Sequence, residues 1–138
     1  MKRIEIHEKL QELVGEQLDE IKIGWQHVQL CFLRTSEDII SKDAFVSLHE
    51  DFAFCIQGSR KRKFCIDHRE RNASNSSADF GLLQGAICEA IELNDAKFRI
   101  YFEGAGEIIL ELGKDAFECF EVLFAGIKKN ELEFLGVV

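Results

Sequence analysis

The sequence predicts a mainly β protein, a single-domain antiparallel β-sandwich or partly open barrel built from two related hairpin-containing halves, with at most one or two short helices. Three observations predict it. Leu13-Val14-Gly15 recurs as Leu83-Gln84-Gly85, and the 70-residue offset then holds without a gap: Ile21 falls on Ile91, Ile23 on Leu93, Val28 on Phe98, Leu30 on Ile100 and Phe32 on Phe102. The apolar residues in these runs alternate with a period of two, as strands with one buried face require. The breaks between runs are made of Gly, Asn and Asp, residues that close tight turns, in a chain with no Pro.

Taken in order, Ile6, Leu10, Leu13 and Val14 stand at helical spacing with Glu and Lys between them, predicting a short helix. The first hairpin follows, with Leu18 to Ile23 and His27 to Leu33 as strands and Gly24-Trp25-Gln26 at the turn. Val28, Leu30 and Phe32 face inward, so Gln29 and Cys31 face outward. From Arg34 to Asp43 the pattern is polar and irregular, and strand pairing is expected to resume near Ala44. Ala44 to Leu48 and Phe52 to Gln57 read as strands around His49-Glu50-Asp51. Phe54-Cys55-Ile56 and Phe64-Cys65-Ile66 then suggest a hairpin in which Phe54 faces Ile66, Ile56 faces Phe64 and Cys55 faces Cys65, with Arg60-Lys61-Arg62-Lys63 at its tip. Residues 72–79 are small, polar and aperiodic and join the halves 1–71 and 80–138, each too short for a robust core of its own. The second half reads as a meander of Ala86 to Leu93, Lys97 to Phe102 and Glu107 to Leu112, turning at Asn94-Asp95 and Gly104-Ala105-Gly106. Ala116 to Phe124 and a closing strand, Glu131 to Leu135, bring the total to about nine short strands.

Composition narrows the function classes. One domain of 138 residues with 46 % hydrophobic content and twelve Phe has material for a core without disulfide or metal staples. The longest apolar runs, such as Val122-Leu123-Phe124-Ala125, fall far short of the roughly 18 residues of a membrane span, and the N-terminus lacks the apolar stretch of an export signal. The odd set of cysteines, Cys31, Cys55, Cys65, Cys88 and Cys119, without a Cys-x-x-Cys, indicates neither a disulfide framework nor a zinc knuckle and fits a reducing cytoplasm. A net charge of −8 argues against nucleic-acid or anionic-membrane binding, both of which need a basic face. The charge is uneven. Arg60, Lys61, Arg62, Lys63, Arg69 and Arg71 stand among only two carboxylates, Asp67 and Glu70, so one basic tip rides on an acidic body.

No catalytic or cofactor motif is present, and the expectation is a non-enzyme without cofactor or metal. His7, His27, His49 and His68 show no ligand spacing, and His49-Glu50-Asp51 are consecutive turn residues whose side chains diverge. There is no nucleophile motif of the Gly-x-Ser-x-Gly kind. The basic tip, Arg60 to Lys63 with His68 and Arg69, has two readings: an anion-binding site, or charges that guard a hairpin against edge-to-edge pairing. Cys55 and Cys65, if opposite one another, are a candidate reversible disulfide, although filler thiols are commoner in a reducing compartment. Trp25, the only Trp, lies at a hairpin turn, where it either caps the core edge or anchors a partner. Exposed carboxylates such as Glu20, Glu89 and Glu92 serve either solubility or recognition of a basic partner.

With its Leu13-x-Gly15 and Leu83-x-Gly85 units, each followed by alternating apolar positions, the chain resembles small bacterial domains of unknown function built from that repeated hairpin. In general character it also resembles the small acidic immunity proteins that neutralise toxins in bacterial competition. That resemblance implies a non-enzymatic protein-binding module whose acidic face occludes a basic toxin domain such as a nuclease, with Trp25, Glu20, Glu89 and Glu92 as the contact residues. Two alternatives stand beside it: a homo-oligomeric β scaffold, a homodimer for instance, pairing through the open closing strand, and a binder of an anionic small ligand at the 60–71 tip.

Overall fold

The two copies of the Leu-x-Gly ribbon fold alike and pack against each other. The computed structural model describes residues 3–36, 39–67, 81–112, 120–126 and 131–136. Helix α1 (Arg3–Leu10) buries Ile6 and Leu10, which lie one turn apart on the same face, and runs into a 3-10 turn at Gln11–Leu13 that buries Leu13. The predicted helix at Ile6 to Val14 is therefore real but starts earlier and tightens at its end. Strand β1 (Gln17–Ile23) and strand β2 (Val28–Ser36) pair antiparallel, with a bulge between Leu18 and Glu20 that leaves Asp19 unpaired.

Seventy residues on, the same devices recur: a 3-10 turn at Gly81–Leu83 that buries Leu83, strand β6 (Cys88–Leu93), strand β7 (Lys97–Phe102), and a bulge between Cys88 and Ala90 that leaves Glu89 unpaired. Gly15 and Gly85 adopt φ of +91° and +90°, and each is followed by the chain's entry into its first strand. Strands β3 (Ile39–Leu48), β4 (Phe52–Ile56), β5 (Arg62–Phe64), β8 (Gly106–Glu111), β9 (Phe120–Gly126) and β10 (Glu131–Gly136) complete two five-stranded sheets.

Backbone hydrogen bonds show how the copies meet. Leu18 N donates to Ala86 O and Cys88 N to Glu16 O, both at 2.8 Å; Gly15 N donates to Cys88 O and Gly85 N to Leu18 O, both at 2.7 Å. Each pair is one bond and its counterpart with the two copies exchanged, and the bridge between them, Gln17 to Ile87, joins equivalent residues. A pseudo-two-fold axis passes there. The equivalent rings of Phe32 and Phe102 stack at 6.3 Å with 4° between their planes. No atom comes within 4 Å of a Cβ built on Gly15 or Gly85, so an Ala there meets only the backbone cost of positive φ. Gly15→Ala and Gly85→Ala should each lower stability by about 1–2 kcal/mol in urea titrations. A difference between them of more than ~1 kcal/mol would mean that the two settings are not equivalent.

The symmetry extends to the whole topology. The strand order is β1-β2-β3-β9-β10 in one sheet and β5-β4-β8-β7-β6 in the other. After β3 the chain leaves its own sheet and adds the hairpin β4–β5 to the edge of β8; after β8 it crosses back and adds β9–β10 to the edge of β3. Each half thus lends its last two strands to the other half's sheet. The inner faces meet in one core of Leu18, Val28, Leu30, Phe32, Val46, Leu48, Phe52, Phe54, Phe98, Ile100, Phe102, Ile108, Leu110, Phe120 and Val122, with Ile6, Leu10, Leu13 and Leu83 closing one end. Phe98 and Phe120 meet edge to face at 4.3 Å between centroids, and Phe52 stacks on Phe64 at 5.2 Å.

The mainly β architecture of two antiparallel sheets and one short helix agrees with the sequence reading, with ten strands among the described residues rather than nine. Two local expectations are corrected. The stretch from Arg34 to Asp43 is not an irregular break: β2 and β3 pair through Leu33–Asp43, Arg34–Lys42 and Ser36–Ile39. Polar residues there lack the alternation that betrays a strand, yet the backbone pairing simply continues outward from the core. The β4–β5 hairpin also has a different register. Phe52 faces Phe64, Ala53 faces Lys63 and Phe54 faces Arg62. The inward parity of Phe54 and Phe64 was legible, but the chain reverses earlier, around Gly58, where Ser59 N donates to Ile56 O, and this shifts the pairing along the strand. Cys55 therefore does not oppose Cys65, and the basis for a cross-strand disulfide is gone. The expected linker at 72–79 lies outside the described residues.

Candidate functional site

Trp25 is 68 % exposed at the β1–β2 turn, whose chain reversal is closed by Gly24 N donating to His27 O at 2.8 Å. The His27 ring lies against Gly24, where a methyl group would overlap it. His27 is also 6.2 Å from the His49 ring across the hairpin end, and His49 Nε2 stands 3.6 Å from Glu121 Oε2 on β9. His27, on the same turn as Trp25, thus belongs to a cluster with His49 and Glu121, and exposed Glu50 follows His49 in the chain. Of the two readings of Trp25, the core-edge lid is disfavoured by its exposure. The sequence could not show this cluster, because His49 and Glu121 reach it from a turn and a strand that become neighbours only through the crossed hairpins.

The carboxylates named as contact residues are divided between the two sheets. Glu20 is exposed on β1 and pairs with Cys31 in the first sheet, whereas Glu89, the exposed bulge residue, and Glu92 belong to β6 in the second. Glu92 is engaged locally: it lies 3.6 Å from Arg99, accepts a hydrogen bond from the Tyr101 hydroxyl at 3.2 Å, and shares Arg99 with Glu107 at 3.5 Å. The Arg99 guanidinium lies 5.3 Å from the Tyr101 ring centre. Partial desolvation first, and then the bond to Glu92, raise the Tyr101 phenol above its ordinary value. This outward-facing network is tied up in its own pairs.

The basic run is exposed from Arg60 through Lys63, with Arg60 and Lys61 in the turn and Arg62 and Lys63 in edge strand β5; His68 and Arg69 lie outside the described residues. Beneath it a cleft of about 470 Å³ is lined by Asp51, Phe52, Ala53, Lys61, Arg62, Lys63, Ile109 and Glu111. Asp51 is committed to the fold: its Oδ1 accepts from Ile66 N at 2.7 Å while Oδ2 stands 3.6 Å from Lys63 Nζ. Among the described residues no three His, Cys, Asp or Glu side chains converge as a metal site would require.

The thiols differ in reactivity. Cys55 is partly exposed and donates to Ser59 O at 3.0 Å, and Cys65 is partly exposed as well. Burial pushes the Cys88 thiol up to about 12, against a smaller opposing effect from the Ala90 carbonyl contact. In the folded protein at pH 8, iodoacetamide should modify Cys55 and Cys65 while Cys88 stays unmodified in peptide mass maps until denaturant is added. Because the unfolded chain releases this proton near the thiol's ordinary value of 9.0, it binds fewer protons than the native state above that pH. The contribution of Cys88 to stability is thus intact below pH 9 and declines as the pH rises toward 12.

No family model and no curated protein matches the chain. Among solved structures it is similar to the N-terminal domain of fibronectin-binding protein PavA from Streptococcus pneumoniae, with a TM-score of 0.49 and 16 % identity over 99 % of this chain and 54 % of that one. The chain spans about half the length of that structure. No helix among the described residues is long and apolar enough to cross a membrane.

Proposed function

We propose that the protein is a non-enzymatic protein-binding module of the immunity type, which neutralises a basic toxin domain such as a nuclease by occluding its working surface. The observation that carries the reading is Trp25, which projects a large aromatic surface from a hairpin turn pinned by its own backbone bond. A pre-positioned Trp costs little ordering entropy on binding and is the commonest kind of interface anchor. The net charge of −8 favours a basic partner by speeding encounter and disfavouring acidic competitors. Glu121, which meets His49 near the His27 ring of the Trp25 turn, and Glu50, next to His49 in the chain, join Glu20, Glu89 and Glu92 as the carboxylates to test.

The experiment is capture of the native partner followed by titration of the purified pair. Trp25→Ala should weaken binding by at least about 2 kcal/mol, roughly thirtyfold, and raising salt should weaken the wild-type complex through a slower association rate. An acidic partner, or an affinity indifferent to Trp25, removes the proposal. A homo-oligomeric role keeps one supporting observation, since β10 pairs only with β9 among the described residues and leaves a strand edge open. Light scattering that stays monomeric across a concentration series removes that reading.

A further inference from the structure

The pseudo-two-fold axis allows each position on one sheet to be compared with its counterpart on the other. Val28 pairs with Leu48 as Phe98 pairs with Leu110, which makes Leu48 and Leu110 equivalent; Leu48 then pairs with Phe120 on β9 just as Leu110 stands opposite Phe52 on β4. One residue further, Glu121 is the counterpart of Ala53, Ser47 of Ile109 and His49 of Glu111. In the first sheet the space over this position is filled by Glu121 reaching His49 at 3.6 Å. In the second sheet the corresponding residue is the small Ala53, paired with buried Ile109, which Arg99 flanks on β7, and the cleft of about 470 Å³ is lined there by Ala53 and Ile109.

From this comparison we infer that the cleft over Ala53 and Ile109 is a binding site for a small organic anion with one anionic head and a flat apolar body. Its apolar floor is formed by Ala53 and Ile109, paired across β4 and β8. One wall is β5 and its turn, where Lys61, Arg62 and Lys63 supply positive charge and Asp51 faces Lys63. The other wall is Glu111 on β8, which repels a second anionic group and so directs the head toward Lys61 and Arg62. From β5 across β4 to β8 is two strand spacings, roughly 10 Å, which suits an aryl ring bearing a phosphate or carboxylate. Arg and Lys together favour such a head through charge-assisted hydrogen bonds. The site is separate from Trp25, so its failure leaves the protein-binding proposal standing and the reverse also holds.

The test is titration of the full chain, followed by amide chemical shifts, with phenyl phosphate, inorganic phosphate and benzyl alcohol as probes. Phenyl phosphate should give saturable shifts centred on Ala53, Arg62, Lys63 and Ile109, with inorganic phosphate and benzyl alcohol each at least about tenfold weaker because each lacks one half of the recognition. Ala53→Glu, which installs the side chain of the other sheet, should weaken phenyl phosphate about tenfold or more while leaving shifts remote from the cleft in place. The double variant Lys61→Ala/Arg62→Ala, confined to exposed positions, should do the same without touching the floor. Equal binding of inorganic and phenyl phosphate would reduce the site to a charged surface and overturn the inference. So would binding unaffected by either variant, or shifts that never saturate.

Discussion

Truncating Phe98 to Ala is expected to lower the unfolding free energy by about 3–5 kcal/mol, seen as a lower urea midpoint with an unchanged slope. Phe98 is fully buried, and its ring meets that of Phe120 edge to face at 4.3 Å. It also sits where β7 of one half packs against β9, a strand of the same half that lies in the opposite sheet. Deleting the ring therefore removes the transfer energy of the aromatic group, leaves a cavity between two sheets that β-pairing holds in place, and forfeits the ring-pair term. A double-mutant cycle with Phe120→Ala should give a coupling of about 0.5–1.5 kcal/mol, because each truncation removes the same contact. A loss below about 2 kcal/mol for Phe98→Ala would mean that the sheets collapse into the space and that their spacing is not fixed by the crossed hairpins.

The second large effect is expected at Gly106. Its φ is +143°, and a methyl group there would run into the Cys55 carbonyl on β4 and lie 3.0 Å from the Cα of Ile56. Backbone strain and overlap each cost of order 1–3 kcal/mol, so Gly106→Ala should destabilise by about 3 kcal/mol and displace the end of β4 from β8. The counterpart of Gly106 in the other half is Ala44, which is fully buried and already carries a methyl group. The reverse change, Ala44→Gly, should cost only about 1 kcal/mol through lost burial and added chain entropy. Equal effects at the two positions would show that the approach of β4 to β8 is no closer than that of β9 to β3.

Much of this architecture was legible because burial writes a strong signal into a β chain. The alternation Val28, Leu30, Phe32 and its echo Phe98, Ile100, Phe102 report which face is inside, and Gly15 and Gly85 report where the backbone must take positive φ. Neighbourhood is a different matter. Period-two alternation fixes a residue's face but not the strand beside it, so nothing in Phe52 to Ile56 or Phe120 to Gly126 announced that these strands exchange sheets. The same gap explains the β4–β5 register: parity placed Phe54 and Phe64 inward, but only the turn geometry decides that Phe64 faces Phe52 rather than Ile56. Function was less legible still. The cleft depends on Ala53 being small where Glu121 is large, a contrast that has meaning only once the two halves are superposed by their pairing. The sequence favoured Trp25 as a cap on the core edge over an exposed anchor, and His49 and Glu121, which cluster with His27 of the same turn, come from distant segments.

The exchanged hairpins make the two halves mutually dependent. A chain severed between Asp67 and Gly81 yields fragments that each keep three strands of one sheet while lacking the pair that completes it, and each fragment carries the pair the other lacks. Such fragments are built for complementation rather than for separate life. The same geometry suits an ancestor in which two identical polypeptides embraced by trading hairpins and were later spliced into one, after which each side was at liberty to diverge.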